Sequence, residues 1–420
     1  MGRSACLFLF WVLAIGGCGP LDQESSDDGE EGDTYVPFNP EGKADTTVVV
    51  DGKSVHLGGP ISFAAACDPG DRYVIAAVGD VLLHGGLQTQ ATQSAARFRS
   101  LFSDVDDLIA AADLTYANLE GPTARGVVAS GAATTDPGLV FDGRVYTSYP
   151  QFNYHPSLIE DLIAVGVDVV STANNHALDR RALGADRTVE ALAEANLPWT
   201  GTRARSSASG NWHTATEAGG LRIAWLACTY GTNGIPDTQG QVLGCFDDTA
   251  QIEAAVRELA ASPEIDAVIV TPHWGTEYVA TPGATQIRLA HRLLEAGALA
   301  VLGSHPHVLE PWEKYKTSDG RETFVIYSLG NFVSGQQGMA RRTSMILYLG
   351  LTRSSEGTIT IHGVRHVPLY MHGRETGVWS VKAIDRSGGA AAARALVTAM
   401  FGSANLQDPD TPLSLASSCP

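Results

Sequence analysis

The sequence predicts a layered α/β fold, and three observations carry that expectation. Short apolar runs recur along the chain, amphipathic stretches separate them, and polar residues of catalytic type follow where the runs end. The runs are Val74–Val78, Leu114–Asn118, Val167–Thr172, Ile223–Cys228, Ala267–Thr271, Leu299–Gly303 and Phe324–Leu329. They are continuous rather than alternating, as suits strands covered on both faces.

Between the runs, Phe98, Leu101, Phe102, Val105, Leu108 and Ile109 fall at three- and four-residue spacing and predict a helix. Leu158, Ile159, Leu162 and Ile163 repeat the pattern after Pro156-Ser157. Ile252, Ala255, Val256 and Leu259 do so behind a cap at Asp248 or Thr249, and so do Ile287, Leu289, Leu293 and Leu294. Strand–helix alternation implies right-handed crossovers. After Asn331 the pattern changes: Ser344–Leu351 and Thr358–Val367 read as antiparallel strands, and from about Gly388 a helix and a loose tail follow. Gly126–Gly143 lacks periodicity and is expected as a surface loop near the site.

The 420 residues are 44% hydrophobic and 18% charged, which describes a globular chain with a sizeable core. The formal net charge of −18 argues against nucleic acid and anionic headgroups as partners. Arg3 and the apolar run Cys6–Ile15 form a signal-peptide pattern too short to span a bilayer. The run ends in Ile15-Gly16-Gly17-Cys18, which resembles a bacterial lipobox with Cys18 as the lipidated residue; an ordinary signal peptide is the alternative. Gly19 in place of Asp favours an outer-membrane or surface destination. The stretch from Gly19 to about Asp45, which contains QESSDDGEEGD, reads as an acidic tether. The expected organisation is thus signal segment 1–18, tether 19–45, N-terminal extension 46–72, main domain 73–370, and C-terminal helix and tail 371–420.

Four cysteines remain beyond the signal segment. Cys228 and Cys245 bracket one Gly/Asn/Pro-rich loop and are the favoured disulfide, which leaves Cys67–Cys419 to join the domain ends. Free buried thiols are the alternative.

The polar residues after the runs are Gly79-Asp80, Asn118-Leu119-Glu120, Asn174-Asn175-His176, His273-Trp274, Ser304-His305-Pro306-His307 and Ser328-Leu329-Gly330-Asn331. In an open parallel sheet these carboxyl ends form one rim, where ligands bind. Asp80, Glu120, Asn175, His273, His305 and His307 make a mixed oxygen and nitrogen donor set. It suits Mn²⁺, Fe²⁺, Zn²⁺ or Co²⁺ better than an all-oxygen calcium cage. One ion or a pair bridged by a carboxylate is compatible with this set, and His176 is placed to act as general acid. Asn118, Asn174, His84, Glu277 and Asn331 are candidates for substrate contact or for orienting ligands. Arg180 and Arg181 are candidates for an anionic substrate, with a surface pair as the alternative. Tyr327, Trp274 and His291 read as structural.

The motifs GDVLLH, ANLEGP, STANNHALD, TPHWGTEY, VLGSHPHVLEP and IYSLGNFV resemble the CapA family, named for bacterial poly-γ-glutamate capsule synthesis, within the calcineurin-like metallophosphoesterase superfamily. The resemblance covers about residues 73–335 and implies a four-layer α/β/β/α sandwich with mixed sheets. It implies that the six residues named above are metal ligands and that His176 contacts phosphate and protonates the leaving group. Two positions depart from the superfamily pattern. Leu82 stands where a second histidine ligand is usual, and Glu120 replaces the usual bridging Asp.

Two functions follow as expectations. The first is an exported metal-dependent hydrolase acting on an envelope polymer, or on a small phosphorylated or γ-glutamyl substrate. The second is a non-catalytic subunit that binds or exports an anionic polymer beside a membrane synthase. A surface lipoprotein with a relict site is the third alternative.

Overall fold

The computed structural model describes residues 45–207 and 211–415. The signal segment, Cys18, nearly all of the tether and Cys419 lie outside the described residues, and so does any Cys67–Cys419 pairing.

A hairpin of β1 (Asp45–Val50) and β2 (Lys53–Gly58) precedes the body. The first sheet starts with β3 (Asp71–Leu82), β4 (Leu114–Leu119), β5 (Val169–Ser171) and β6 (Trp199–Thr200), each parallel to the one before. The chain then builds a second sheet from β7 (His213–Ala218), β8 (Leu221–Thr229), β9 (Ala267–His273), β10 (Ala300–Leu302), β11 (Leu309–Lys316) and β12 (Glu322–Leu329). It returns to the first sheet with β13 (Asn331–Ser334), β14 (Thr343–Arg353), β15 (Ile359–His372) and β16 (Ser380–Ala383).

The second sheet has the order β11-β12-β10-β9-β8-β7, parallel at its centre with antiparallel edges. The first has the order β16-β15-β14-β3-β4-β5-β6, and β13 runs parallel to the end of β3. Both sheets are therefore mixed, and the antiparallel pair expected after Asn331 is β14–β15.

Side-chain alternation defines the layers. Ile75, Ala77, Tyr116 and Val169 of the first sheet share one core with Ile223, Trp225 and Leu226 of the second. Tyr116 stacks on Trp225 at a centroid distance of 5.6 Å, one ring from each sheet. On the opposite face, Ala76, Val78, Ala117 and Val170 pack with Leu158, Leu162 and Leu192 from helices Ser157–Ala164 and Arg181–Ala195. Helices Thr249–Ala261 and Ala284–Ala296 contribute Ile252, Val256, Ile287 and Leu293 to the core of the second sheet. The result is an α/β/β/α sandwich.

Four expectations change. The stretch Phe98–Ile109 is not one helix. It is two 3₁₀ turns, Arg97–Leu101 and Ser103–Val105, followed by a single α turn, Asp106–Ile109. The breaks fall at Phe102 (φ −141°, ψ 6°) and Val105 (φ −130°, ψ 10°). The apolar residues still face inward. Asp161 accepts the Phe98 N–H at 2.9 Å, and Tyr348 donates to the Leu108 carbonyl at 2.8 Å, so neighbours rather than a helical ladder satisfy this backbone. Nor are residues 402–415, after helix Ala391–Phe401, loose: His366 N–H donates to Asn405 O at 3.0 Å, Gln407 N–H donates to His366 O at 2.9 Å, and Leu415 is buried. The expected boundary at 370/371 falls inside β15. Finally, the carboxyl ends of the parallel strands form two rims, one per sheet, instead of one.

His366 is sealed against Trp312 and Phe401, and neither ring nitrogen has a hydrogen-bond partner among the described residues. Burial pushes its pKa down from 6.5 to about 3. Below 6.5 the unfolded chain binds a proton that the folded chain refuses. The stabilising contribution is therefore complete above pH 6.5 and is lost as pH falls towards 3, at ~1.4 kcal/mol per pH unit. Denaturant midpoints measured from pH 7 to 4 are expected to fall, and His366→Leu is expected to flatten that slope.

Candidate metal centre

The first sheet brings Asp80 at the end of β3, Glu120 just past β4, and Asn174, Asn175 and His176 past β5. The second brings His273 at the end of β9 and His305 and His307 past β10. All of them are buried. Two close backbone approaches lie here, the first between the sheets and the second within the second sheet, between the end of β10 and β12. Asp80 N–H donates to the Gly330 carbonyl at 3.0 Å, and a Cβ on Gly79 would lie 1.8 Å from that oxygen. A Cβ on Gly303 would lie 2.0 Å from the Tyr327 carbonyl. Glycine is required at both positions by space.

Ligand atoms of Asp80, Glu120 and His307 lie within 4.8 Å of one another, and so do those of Glu120, His273 and His305. Glu120 belongs to both groups. Its Oε1 is 3.5 Å from His273 Nε2 and 3.7 Å from His307 Nε2. Asn175 Oδ1 stands 2.9 Å from His273 Nε2, on the side of the second group. Neither Glu120 oxygen has a hydrogen-bond partner among the described residues, nor does His305 Nδ1. Buried polar atoms left in this way are costly unless a cation meets them.

The remaining contacts aim these donors. Tyr116 donates to Ser171 Oγ at 2.9 Å, Ser171 donates to Asn118 Oδ1 at 2.7 Å, and Asn118 Nδ2 donates to Asp80 Oδ1 at 2.7 Å. A chain of three hydrogen bonds thus runs from the inter-sheet core to the carboxylate. Ser304 Oγ lies 2.9 Å from His273 Nδ1, which leaves Nε2 for the centre. Asn331 Oδ1 lies 3.1 Å from His307 Nδ1, and its amide donates to the His307 carbonyl at 3.2 Å. Asn331 therefore sets the position of His307. Asn174 donates to the Leu119 carbonyl at 2.8 Å. His305 (φ 102°) and His307 (φ 58°) both occupy the left-handed region, a strain of about 1–3 kcal/mol each, held in place by this surrounding structure.

Burial by itself raises the Glu120 carboxyl, but His307 and His273 outweigh it and hold the group well below the usual carboxylate range. Burial lowers His307, yet Glu120 and Asp80 bring it up to about 9. His305 is driven well down, by burial first and by the neighbouring His273 and His307. His176 is lowered by burial and raised by its 2.7 Å contact with Asp179, and the net shift is upward.

Several expected residues lie elsewhere. Arg180 is fully buried and donates to the carbonyls of Val127, Gln151 and Val145 and to Thr147 Oγ1, so its guanidinium is spent on bracing the 126–154 segment. Arg181 opens the helix Arg181–Ala195 at φ 56°. His84 caps the helix Gly85–Gln93 and meets Phe152 edge-on at 5.3 Å, outside both ligand groups. Phe152 touches His176 on its other side, at 4.8 Å. Leu82 is buried in the outer core and offers no donor. Glu277 is exposed, and one of its carboxylate oxygens lies within 4.8 Å of ring nitrogens of His305 and His307. Trp274 and Tyr327 are core, and His291 pairs with Glu313 at 2.9 Å.

The sequence reading did not single out Asp179, Tyr230 or Asn233. Asp179, three residues after His176, carries a recognisable signal in that spacing. Tyr230, whose ring lies tilted against His305 at 4.4 Å, and Asn233, whose Oδ1 accepts from Asn175 Nδ2 at 3.2 Å, carry none. They sit on the loop closed by the Cys228–Cys245 disulfide, which the structure contains.

The family model for the bacterial capsule synthesis protein PGA_cap matches residues 74–336. The PGA biosynthesis protein CapA of Bacillus subtilis (strain 168) is 27% identical over 296 residues, 68% of this chain and 69% of that protein. The capsule biosynthesis protein CapA of Bacillus anthracis is 31% identical over 208 residues, and the match spans 49% of its length. A probable polyglutamine synthesis accessory protein of Mycobacterium tuberculosis is 28% identical over 224 residues, 50% of this chain and 57% of that protein. Among solved structures, the NAD nucleotidase of Haemophilus influenzae aligns with a TM-score of 0.43 and 12% identity, covering 81% of this chain and 64% of that one.

Gly79→Ala places a methyl group against the Gly330 carbonyl and is expected to lower unfolding free energy by on the order of 3 kcal/mol. Chemical denaturation checks this. Ala77→Gly, in the same strand, is expected to cost only about 1 kcal/mol.

Proposed function

We propose that this chain, which belongs to the bacterial capsule synthesis protein family, is an exported metal-dependent hydrolase that works on an anionic cell-envelope polymer. One observation carries the metal reading: Glu120 is fully buried beside His273, His307 and Asp80, and neither of its oxygens has a hydrogen-bond partner among the described residues. Asp80, Glu120 and His307 would hold one ion, and Glu120, Asn175, His273 and His305 the other. Mn²⁺, Fe²⁺, Zn²⁺ or Co²⁺ fits such oxygen and nitrogen donors. When bound, the ions supply Lewis-acid polarisation of a phosphoryl or acyl oxygen.

The chain's own residues supply the rest. Asp179 occupies His176 Nδ1, so the transferable proton sits on Nε2. Asp179 shifts the pKa of His176 upward and so favours the form that carries that proton, available to a departing oxygen or nitrogen. Asn118 and Asn331 keep Asp80 and His307 aimed without themselves reacting. The names of the relatives, which speak of PGA, capsule and polyglutamine synthesis, support a poly-γ-glutamate-like capsule polymer as substrate class; a membrane synthase as working partner is part of the proposal.

A second reading, a non-catalytic polymer-binding or export subunit, is favoured by one observation: the first donor group has three protein ligands, and Leu82 beside it adds none. The two readings separate by experiment. The full chain, reconstituted with Mn²⁺ or Zn²⁺, is expected to retain metal through gel filtration and to lose at least 2 kcal/mol of stability in EDTA, as mass action requires of a tightly bound ion. Asp80→Asn and His305→Ala are expected to abolish retention and to cut turnover of phosphodiester, phosphomonoester or γ-glutamyl substrates by 10²-fold or more. Retention without turnover supports the binding subunit, and no retained metal overturns both metal-dependent forms.

Export and lipid anchoring rest on Cys6–Ile15 and Ile15-Gly16-Gly17-Cys18. Among the described residues no helix is long and apolar enough to cross a membrane. Cys18→Ser is expected to move the chain from the membrane to the soluble fraction of the expressing bacterium. Unchanged fractionation refutes the anchor.

A further inference from the structure

We propose that Glu277 is itself a metal ligand, reaching the centre from the solvent side and completing the coordination of the ion held by His307. The inference rests on the metal-binding reading above. The Asp80–Glu120–His307 group offers three donors, whereas transition-metal ions in such sites take four to six. The side chain two residues beyond Asp80 is Leu82, which is buried in apolar packing. Glu277 forms a third group with His305 and His307, all ligand atoms within 4.8 Å.

The backbone holds Glu277 in that place. Tyr278 N–H donates to the Pro306 carbonyl at 2.8 Å, between the two histidines, so the 275–278 turn is tied to the 305–307 turn. Gly275 (φ 97°) and Tyr278 (φ 66°) both take left-handed backbone to make the approach. A Cβ at Gly275 would lie 2.7 Å from Gln286 Nε2, so the turn sits hard against the helix Ala284–Ala296. The Arg341 guanidinium lies 3.7 Å over the Tyr278 ring and clamps the other side. A carboxylate carried by so constrained a turn, next to two buried imidazoles, fits ligation better than free solvation. Its exposure gives it a distinct part: it can leave when an anionic substrate takes its place, which the buried Asp80 and Glu120 cannot do.

The test is titration of the metal-free full chain with Mn²⁺, followed by calorimetry and by EPR, for the wild type, Glu277→Gln and, as a control for lost charge outside the site, Glu217→Gln. Wild type and Glu217→Gln are expected to take up two ions per chain with an exchange-coupled signal. Glu277→Gln is expected to bind one ion unchanged and the other at least about tenfold more weakly, with the coupled signal reduced at equal Mn²⁺. Two ions in Glu277→Gln at wild-type affinities overturn the inference and leave the metal reading standing. A single wild-type ion that Glu277→Gln keeps unchanged overturns it too. No uptake by the wild type overturns the metal reading, and the inference falls with it.

Discussion

Glu120 lies at zero exposure between two sheets, its oxygens accepting no hydrogen bond from the described residues, within reach of imidazoles from the opposite sheet. An isolated carboxylate in such surroundings is strongly unfavourable. It is tolerable only if positive charge is delivered to it, and here that charge comes from His273 and His307 or from a cation they share. Neither histidine belongs to the sheet that carries Glu120. The pairing of the two sheets and the electrostatics of the centre are therefore one constraint. If the sheets slid by one residue, the carboxylate would be left among apolar side chains.

The chain meets that constraint by crossing from sheet to sheet at the centre itself. It leaves the second sheet at Leu329, turns through Gly330 (φ 66°) and enters the first as β13, beside the end of β3. The same turn presents the Gly330 carbonyl to Asp80 N–H and the Asn331 side chain to His307. A few residues thus register the sheets, fix one carboxylate and orient one imidazole. The hydrogen-bond chain from Tyr116 through Ser171 and Asn118 to Asp80 does a parallel task from inside the core. Because Tyr116 also stacks on Trp225, a disturbance of the inter-sheet core reaches the centre directly.

Much of this can be read along the chain. A buried parallel strand needs a short continuous apolar run, and a polar residue just past it needs no long-range information to be noticed; Asp80, Glu120, Asn175, His273, His305 and His307 were visible for that reason. Helices such as Thr249–Ala261, with an apolar stripe and a capping residue, were equally plain. The stretch from Phe98 to Ile109 carried the same stripe but lacked a continuous helical ladder, because Asp161 and Tyr348, distant in sequence, satisfy its backbone. Arg180 had the right charge and the right neighbourhood for a substrate contact. Only the folded chain turns it inward onto carbonyls.

The sequence by itself determined the alternation of strands and helices, the donors at the strand ends and the disulfide loop, since each depends on local period, residue type or spacing. Tertiary structure decided how the donors divide between two rims, which carboxylate both groups share, and that Asn331 positions His307. It also decided that Glu277, Tyr230 and Asn233 come to the centre. Those facts depend on how two sheets close on each other, and residues such as Asp80 and His307, 227 positions apart, acquire a distance only when that packing exists.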